Sequence, residues 1–70
     1  MAKMSQAARK KQILRVLRQL GDATIYRLAN TTGLSVSTVR NYLKLLEEDN
    51  LVEFDEVEGV WRVKGGRNGS

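Results

Sequence analysis

The residues best suited to making specific contacts are concentrated in one short segment of the chain, from Ser35 to Lys44. An arginine and an asparagine stand side by side there, Arg40 and Asn41, with hydroxyl side chains before them and a lysine after them. The chain contains no histidine and no cysteine, so the commonest general base, the commonest metal ligand and the thiolate nucleophile are all absent. Guanidinium, amide, hydroxyl and ammonium groups then indicate binding rather than catalysis, and we predict no enzymatic activity, no cofactor and no metal site.

Charge is distributed unevenly along the chain. Residues 1–46 contain nine cations and one anion, whereas residues 47–70 contain seven anions and three cations. A basic part joined to an acidic part indicates one face directed toward a polyanion. No apolar run approaches the roughly 20 residues that cross a bilayer, and the polar N-terminus lacks the apolar core of a signal peptide. We therefore expect a cytoplasmic protein that does not contact a membrane.

Helical patterns separated by capping residues must position these side chains. Apolar residues at steps of three and four predict a first helix from about Ser5 to Leu20, a second from Ile25 to about Thr31 and a third from Ser35 to near Asp49. Ser5, Thr24 and Ser35 are the predicted N-caps, because their hydroxyl oxygens accept bonds from free amides. The side of the third helix opposite its apolar residues holds Val36, Ser37, Arg40, Asn41 and Lys44.

After the third helix the apolar period changes from helical to alternating. Residues 51–54 and 60–63 are predicted strands joined by the acidic turn 55–59, and we expect Trp61 to lie in the core. Two strands alone are marginal in water, so the hairpin must pack on the helices. Residues 1–64 would form one domain, followed by a glycine-rich flexible tail at 65–70. The predicted fold class is mainly α with a small β-hairpin.

The stretch from Ala29 to Val52 resembles the winged helix-turn-helix family of bacterial and archaeal transcriptional regulators, which includes viral and plasmid members. The likeness is carried by small Ala29, the Gly33-Leu34-Ser35 turn, the Thr38-Val39 pair and the leucines at 43 and 46 before a strand, and it extends over about residues 6–64. It implies a three-helix core plus a two-stranded antiparallel wing. It also implies that the third helix lies in the major groove of duplex DNA.

The resemblance assigns contacts to individual residues. Arg40 would bond guanine and Asn41 adenine, each discriminating by about 1–3 kcal/mol, while Val36 touches a thymine methyl and Lys44 a phosphate. The residues predicted to contact DNA are Arg27, Ser35, Val36, Ser37, Thr38, Arg40, Asn41, Lys44, Arg62 and Lys64. An ordinary solvated helix face is the alternative for the outward set. The wing departs from the family pattern, because its turn is acidic where a groove-binding wing is basic.

We predict a sequence-specific, double-stranded DNA-binding transcriptional regulator, a nucleoid-associated repressor with no evident small-molecule ligand. Basic residues of the first helix either add to the phosphate footprint or flank a homodimer seam, which would be formed by Ala7, Ala8, Ile13, Leu14 and Val16. Two further hypotheses stay open. The acidic C-terminal third would suit a protein-interaction module within a transcription or replication assembly, and some winged domains bind RNA or left-handed DNA.

Overall fold

The computed structural model describes residues 5–64, which form three helices followed by a β-hairpin. The helices are α1 (Gln6–Leu20), α2 (Ile25–Thr32) and α3 (Val36–Glu48), and the strands are β1 (Val52–Asp55) and β2 (Val60–Val63). The predicted fold class and element order are confirmed. The predicted tail at 65–70 lies outside the described residues.

Each helix begins after a hydroxyl residue that caps it. The side-chain oxygens of Ser5, Thr24 and Ser35 each accept a hydrogen bond of 3.1 Å from the backbone amide three residues further on. These bonds satisfy one of the amides that have no partner within the first helical turn. The three N-caps predicted from the sequence are therefore confirmed, and they fix where each helix starts relative to its apolar face.

The turn between α2 and α3 depends on Gly33. Its φ is 80°, in the left-handed region, and its amide donates to the carbonyl of Ala29 at 2.9 Å. Glycine adopts this conformation without the steric cost that a Cβ would bring. The Thr32 hydroxyl donates to the Leu28 carbonyl at 2.7 Å and accepts from the Leu34 amide at 3.3 Å, which ties the turn to the end of α2.

A single apolar cluster holds the helices together. Its nine buried members are Ile13, Leu17, Ala23, Leu28, Ala29, Val39, Leu43, Leu46 and Val52, and no polar residue is buried among residues 5–64. Burying each of the larger side chains contributes about 1.5–3 kcal/mol. Ile13 is fully buried in this cluster. Its predicted place in a dimer seam was wrong, because its side chain packs in the core of the monomer.

The hairpin packs on the helices through both strands, and its second strand also bonds to the α1–α2 loop. β1 and β2 pair antiparallel, with Val52 opposite Val63 and Phe54 opposite Trp61. The other edge of β2 pairs with Ala23 in the α1–α2 loop: the Ala23 amide donates to the Trp61 carbonyl at 3.0 Å, and the Trp61 amide donates to the Ala23 carbonyl at 2.7 Å. This bridge, which the sequence did not predict, covers part of an edge strand that would otherwise expose unpaired backbone groups.

Trp61 is half-buried and packs against the apolar cluster, its ring 5.0 Å from that of Phe54. None of the helices within residues 5–64 is long and apolar enough to cross a membrane.

Candidate nucleic-acid interface

The exposed side of α3 carries four of the predicted site residues in one stripe. Ser37, Arg40, Asn41 and Lys44 are all exposed, while Val39, Leu43 and Leu46 on the opposite side are buried in the core. Among residues 5–64, neither Arg40 nor Lys44 forms a salt bridge. The structure thus presents two cations, an amide and a hydroxyl on a helix whose other side is fixed by packing. We call this set the α3 stripe.

Three predicted residues at the start of α3 are engaged within the protein. The Ser35 hydroxyl accepts from the Thr38 amide at 3.1 Å and lies 2.9 Å from the Thr38 hydroxyl. Thr38 is half-buried, and half-buried Val36 packs against the core. Ser37 is therefore the hydroxyl of this turn that is exposed and uncommitted to the cap.

α2 adds a second row of polar groups beside the turn. Arg27 is exposed in the first turn of α2, and its backbone amide donates to the Thr24 cap. Tyr26, which is 68% exposed, and Asn30 line a shallow concavity together with Ser35. Tyr26 and Asn30 were not among the predicted contacts. Their spacing of four residues, on the side of α2 away from its buried leucine, is the signal that would have identified them.

Arg62, a predicted contact to the DNA backbone, instead pairs with two carboxylates of the protein. Its Nε and Nη2 donate to Asp22 at 3.2 and 3.0 Å, and Nη2 also donates to Asp55 at 2.9 Å. The hydrogen bond from Arg62 lowers the pKa of Asp22 below its ordinary value of 3.8. The two carboxylates raise the pKa of Arg62 in turn. A guanidinium held in this way joins the α1–α2 loop to the wing, and its acidic partners would repel a phosphate.

The turn of the wing is organised by Asp55 and has an acidic tip. The Asp55 carboxylate accepts from the amides of Val57 at 2.9 Å and Glu58 at 3.1 Å. The Glu58 amide and then Arg62 lower the pKa of Asp55 below 3.8. Glu56, Val57 and Glu58 are exposed, with 91% of Val57 accessible. A tip of this charge is unsuited to enter a DNA groove.

The predicted site residues thus fall into four groups, one of which is the set engaged at the start of α3, Ser35, Val36 and Thr38. The α3 stripe is continuous, Arg27 lies on the neighbouring helix, and Arg62 and Lys64 belong to the wing. Lys64 is exposed, with its Nζ 3.4 Å from the side-chain oxygen of Asn50. In the part of the chain that the structure describes, no group of three or more histidine, cysteine, aspartate or glutamate residues is arranged to hold a metal ion.

The sequence matches a family model described as an HTH domain over residues 9–65. The chain therefore belongs to the helix-turn-helix (HTH) domain family, as the resemblance indicated, and membership of this family points to DNA binding. The match includes most of α1, the whole α2–turn–α3 unit and both strands. No curated protein and no solved structure matches the chain significantly.

Proposed function

We propose that this protein is a sequence-specific duplex DNA-binding transcriptional repressor that reads the major groove with α3. The observation that carries the proposal is the α3 stripe, which is exposed and free of salt bridges among the described residues. It is presented by a helix that Val39, Leu43 and Leu46 anchor in the core. An α-helix fits the width of the major groove, where each base pair presents a distinct pattern of donors and acceptors.

Base recognition would fall to Arg40 and Asn41. A guanidinium donates two parallel bonds to O6 and N7 of guanine, and a carboxamide both donates to and accepts from adenine, each pair discriminating by about 1–3 kcal/mol. Lys44 lies one turn further along α3 and suits a phosphate. Ser37 adds a hydroxyl that bonds to a base edge or a phosphate.

Phosphate contacts beside the groove would come from α2. Arg27 supplies a cation, and the Tyr26 hydroxyl and Asn30 amide supply neutral donors at the concavity beside the turn. Such contacts fix the register of a protein on the duplex without reading its sequence. Arg62 is not assigned a contact, because Asp22 and Asp55 already bind its guanidinium. Repression would follow from occupying an operator and excluding other proteins from it.

Selection of bound sites from random duplexes, followed by affinity measurements on single variants, tests this function. We expect an enriched site to emerge, and Arg40→Ala and Asn41→Ala each to weaken binding to it by about 5- to 150-fold relative to a scrambled duplex. Arg9→Ala is the matched control for Arg40→Ala, since it removes the same charge from α1 at a residue whose guanidinium bonds to Gln12 and which is assigned no contact with DNA. A failure to enrich any site, or equal preference in wild type and both α3 variants, would contradict the proposal. If structured RNA or an alternating GC duplex competes for binding, that nucleic acid would replace ordinary duplex DNA as the proposed ligand.

A second candidate function is a protein-interaction module, which the exposed acidic wing favours. Glu56 and Glu58 flank an almost fully accessible Val57 at its tip, and this combination suits a basic protein surface with an apolar pocket. The homodimer also stays a proposal. The apolar surface left for it on α1 is small, because Ile13 is buried and Leu14 and Val16 are half-buried.

A further inference from the structure

We propose that α1 carries a second duplex-binding surface, formed by Lys11, Arg15 and Arg18, so that one domain holds two DNA segments together. The inference goes beyond the proposed function and rests on it only for the duplex held by α3. We call these three residues the α1 stripe. Their exposure, their charge and their place relative to α3 each support the proposal.

The three cations form one line on the solvent side of α1. They are spaced by four and three residues, which places them on one face of a helix, and all three are exposed. Ile13 and Leu17, on the opposite side of α1, are fully buried. From Lys11 to Arg18 the helix rises by about 10 Å. Successive phosphates of a strand are offset by about 3.4 Å along the axis and also around it, so a straight row of this length reaches more than one phosphate.

The α1 stripe carries a charge that the rest of the described chain does not neutralise. The described residues of α1 include no aspartate or glutamate. Other cations nearby are engaged: Lys10 forms a salt bridge of 3.1 Å with Asp49, and Arg9 donates to Gln12 at 3.1 Å. None of the three members of the α1 stripe forms a salt bridge within residues 5–64. Three adjacent positive charges are thus open to an external anion.

The α1 stripe and the α3 stripe lie on different faces of the domain. α1 and α3 pack on each other, and their inward residues, such as Leu17 and Leu43, belong to the same apolar cluster. Each stripe lies on the side of its helix directed away from that cluster. A duplex seated against α3 therefore leaves the α1 stripe open to a second duplex segment.

Duplex DNA is a better occupant of the α1 stripe than the acidic wing of a second copy. An exposed ion pair between side chains contributes about 0.2–1 kcal/mol. An apolar concavity formed with Leu14 and Leu51 adjoins only the Lys11 end of the stripe. Beside Arg15 and Arg18, the exposed Gln19 offers no apolar anchor for a protein interface. Phosphates bound by the same three cations release condensed counterions, and the gain from this release grows with each contact.

A two-duplex capture assay tests the second surface. A duplex with the enriched site is fixed to beads, protein is added, and retention of a free fluorescent duplex is measured. We expect wild type to retain the second duplex, with retention weakening as salt rises at a log–log slope of about −2 to −3. The variant Lys11→Gln/Arg15→Gln/Arg18→Gln should lose at least nine tenths of this retention while binding the fixed duplex as wild type does. Lys11→Arg/Arg15→Lys/Arg18→Lys, which keeps the charges, should retain it.

Three results would overturn the second surface. The first is capture by the glutamine variant that equals capture by wild type. The second is no capture by a wild-type protein that does bind the fixed duplex. The third is a loss of capture in Glu56→Gln/Glu58→Gln as large as in the glutamine variant, which would assign the α1 stripe to the wing of a second copy. Circular dichroism melting of the glutamine variant verifies that it is folded. Binding to the fixed duplex is recorded separately. Failure to bind the fixed duplex would therefore contradict the α3 proposal, whereas failure to capture the free duplex while the fixed one is bound would contradict the second surface.

Discussion

At the scale of single residues, Arg62 shows how a charged side chain in this small domain is used to join elements. It reaches Asp22 in the α1–α2 loop and Asp55 at the end of β1, while Asp55 also organises the turn of the wing through two backbone amides. The three side chains therefore connect the helical part to the wing beside the Ala23–Trp61 bridge. This connection fixes the orientation of the wing relative to α1 and α2.

This ion-pair cluster predicts an acid-dependent loss of stability. The pKa values of Asp22 and Asp55 are lowered in the folded protein, so the folded state binds fewer protons than the unfolded state just below the ordinary aspartate pKa. The stabilisation is complete above about pH 4 and is lost as pH falls through the lowered pKa values. We expect Asp22→Asn/Asp55→Asn to lower the free energy of unfolding near pH 7, and the difference from wild type to shrink as the solution is acidified.

Urea unfolding at a series of pH values measures this difference. Glu56→Gln is the matched control, because Glu56 is an exposed acid of the same wing that forms no salt bridge among the described residues. A difference that does not change with pH, or one equally large for Glu56→Gln, would contradict the role assigned to the cluster.

At the scale of elements, α3 is defined at both ends by local chemistry and along its length by packing. Ser35 caps its start and Gly33 reverses the chain before it, while Asn50 takes a φ of 61° after its end. Three fully or almost fully buried side chains, Val39, Leu43 and Leu46, set its rotation about its own axis. The rotation of α3 and its first residue together decide which of its residues face outward. The Ser35 cap therefore contributes to function by helping to place the α3 stripe on the exposed side.

The cap at Ser35 predicts a difference between two nearby serines. Ser35→Ala removes the oxygen that accepts from the Thr38 amide, and we expect it to lower the free energy of unfolding by about 1 kcal/mol. Ser37→Ala, an exposed serine inside the same helix, should change stability by less than about 0.5 kcal/mol. Urea denaturation of both variants measures this. Equal stability of the two variants would show that the cap does not hold the start of α3.

The helices and the α3 stripe were predictable from the sequence because their determinants are local. A cap acts over three residues, and helical periodicity alone places Val39 on the core side of α3 and Arg40 on its exposed side. The Asp22–Arg62 pair joins residues 40 positions apart, and the Ala23–Trp61 bridge is similarly distant; both depend on tertiary placement that no local pattern encodes. The sequence left Ile13 open between the apolar stripe of α1 and a dimer seam, because α1 has apolar residues over a wide arc and only packing decides which of them face the core.

At the scale of the whole molecule, charge is separated between faces. Exposed cations lie on the outer sides of α1 and α3, whereas acidic residues lie at the end of α3 and in the wing. Since the positive sides attract a polyanion and the acidic wing is repelled by it, this separation orients the domain before any base is read. The central claim is then that the final docking places α3 in the major groove.

The most direct test of that claim changes single atoms of the DNA rather than of the protein. Affinity is measured for the enriched site carrying 7-deazaguanine, which lacks the N7 acceptor in the major groove, and for the same site carrying inosine, which lacks the amino group in the minor groove. We expect one 7-deazaguanine position to weaken binding by wild type but not by Arg40→Ala, and inosine to leave affinity unchanged. Loss of affinity with inosine alone, or no response to 7-deazaguanine at any guanine, would contradict major-groove reading by Arg40 on α3.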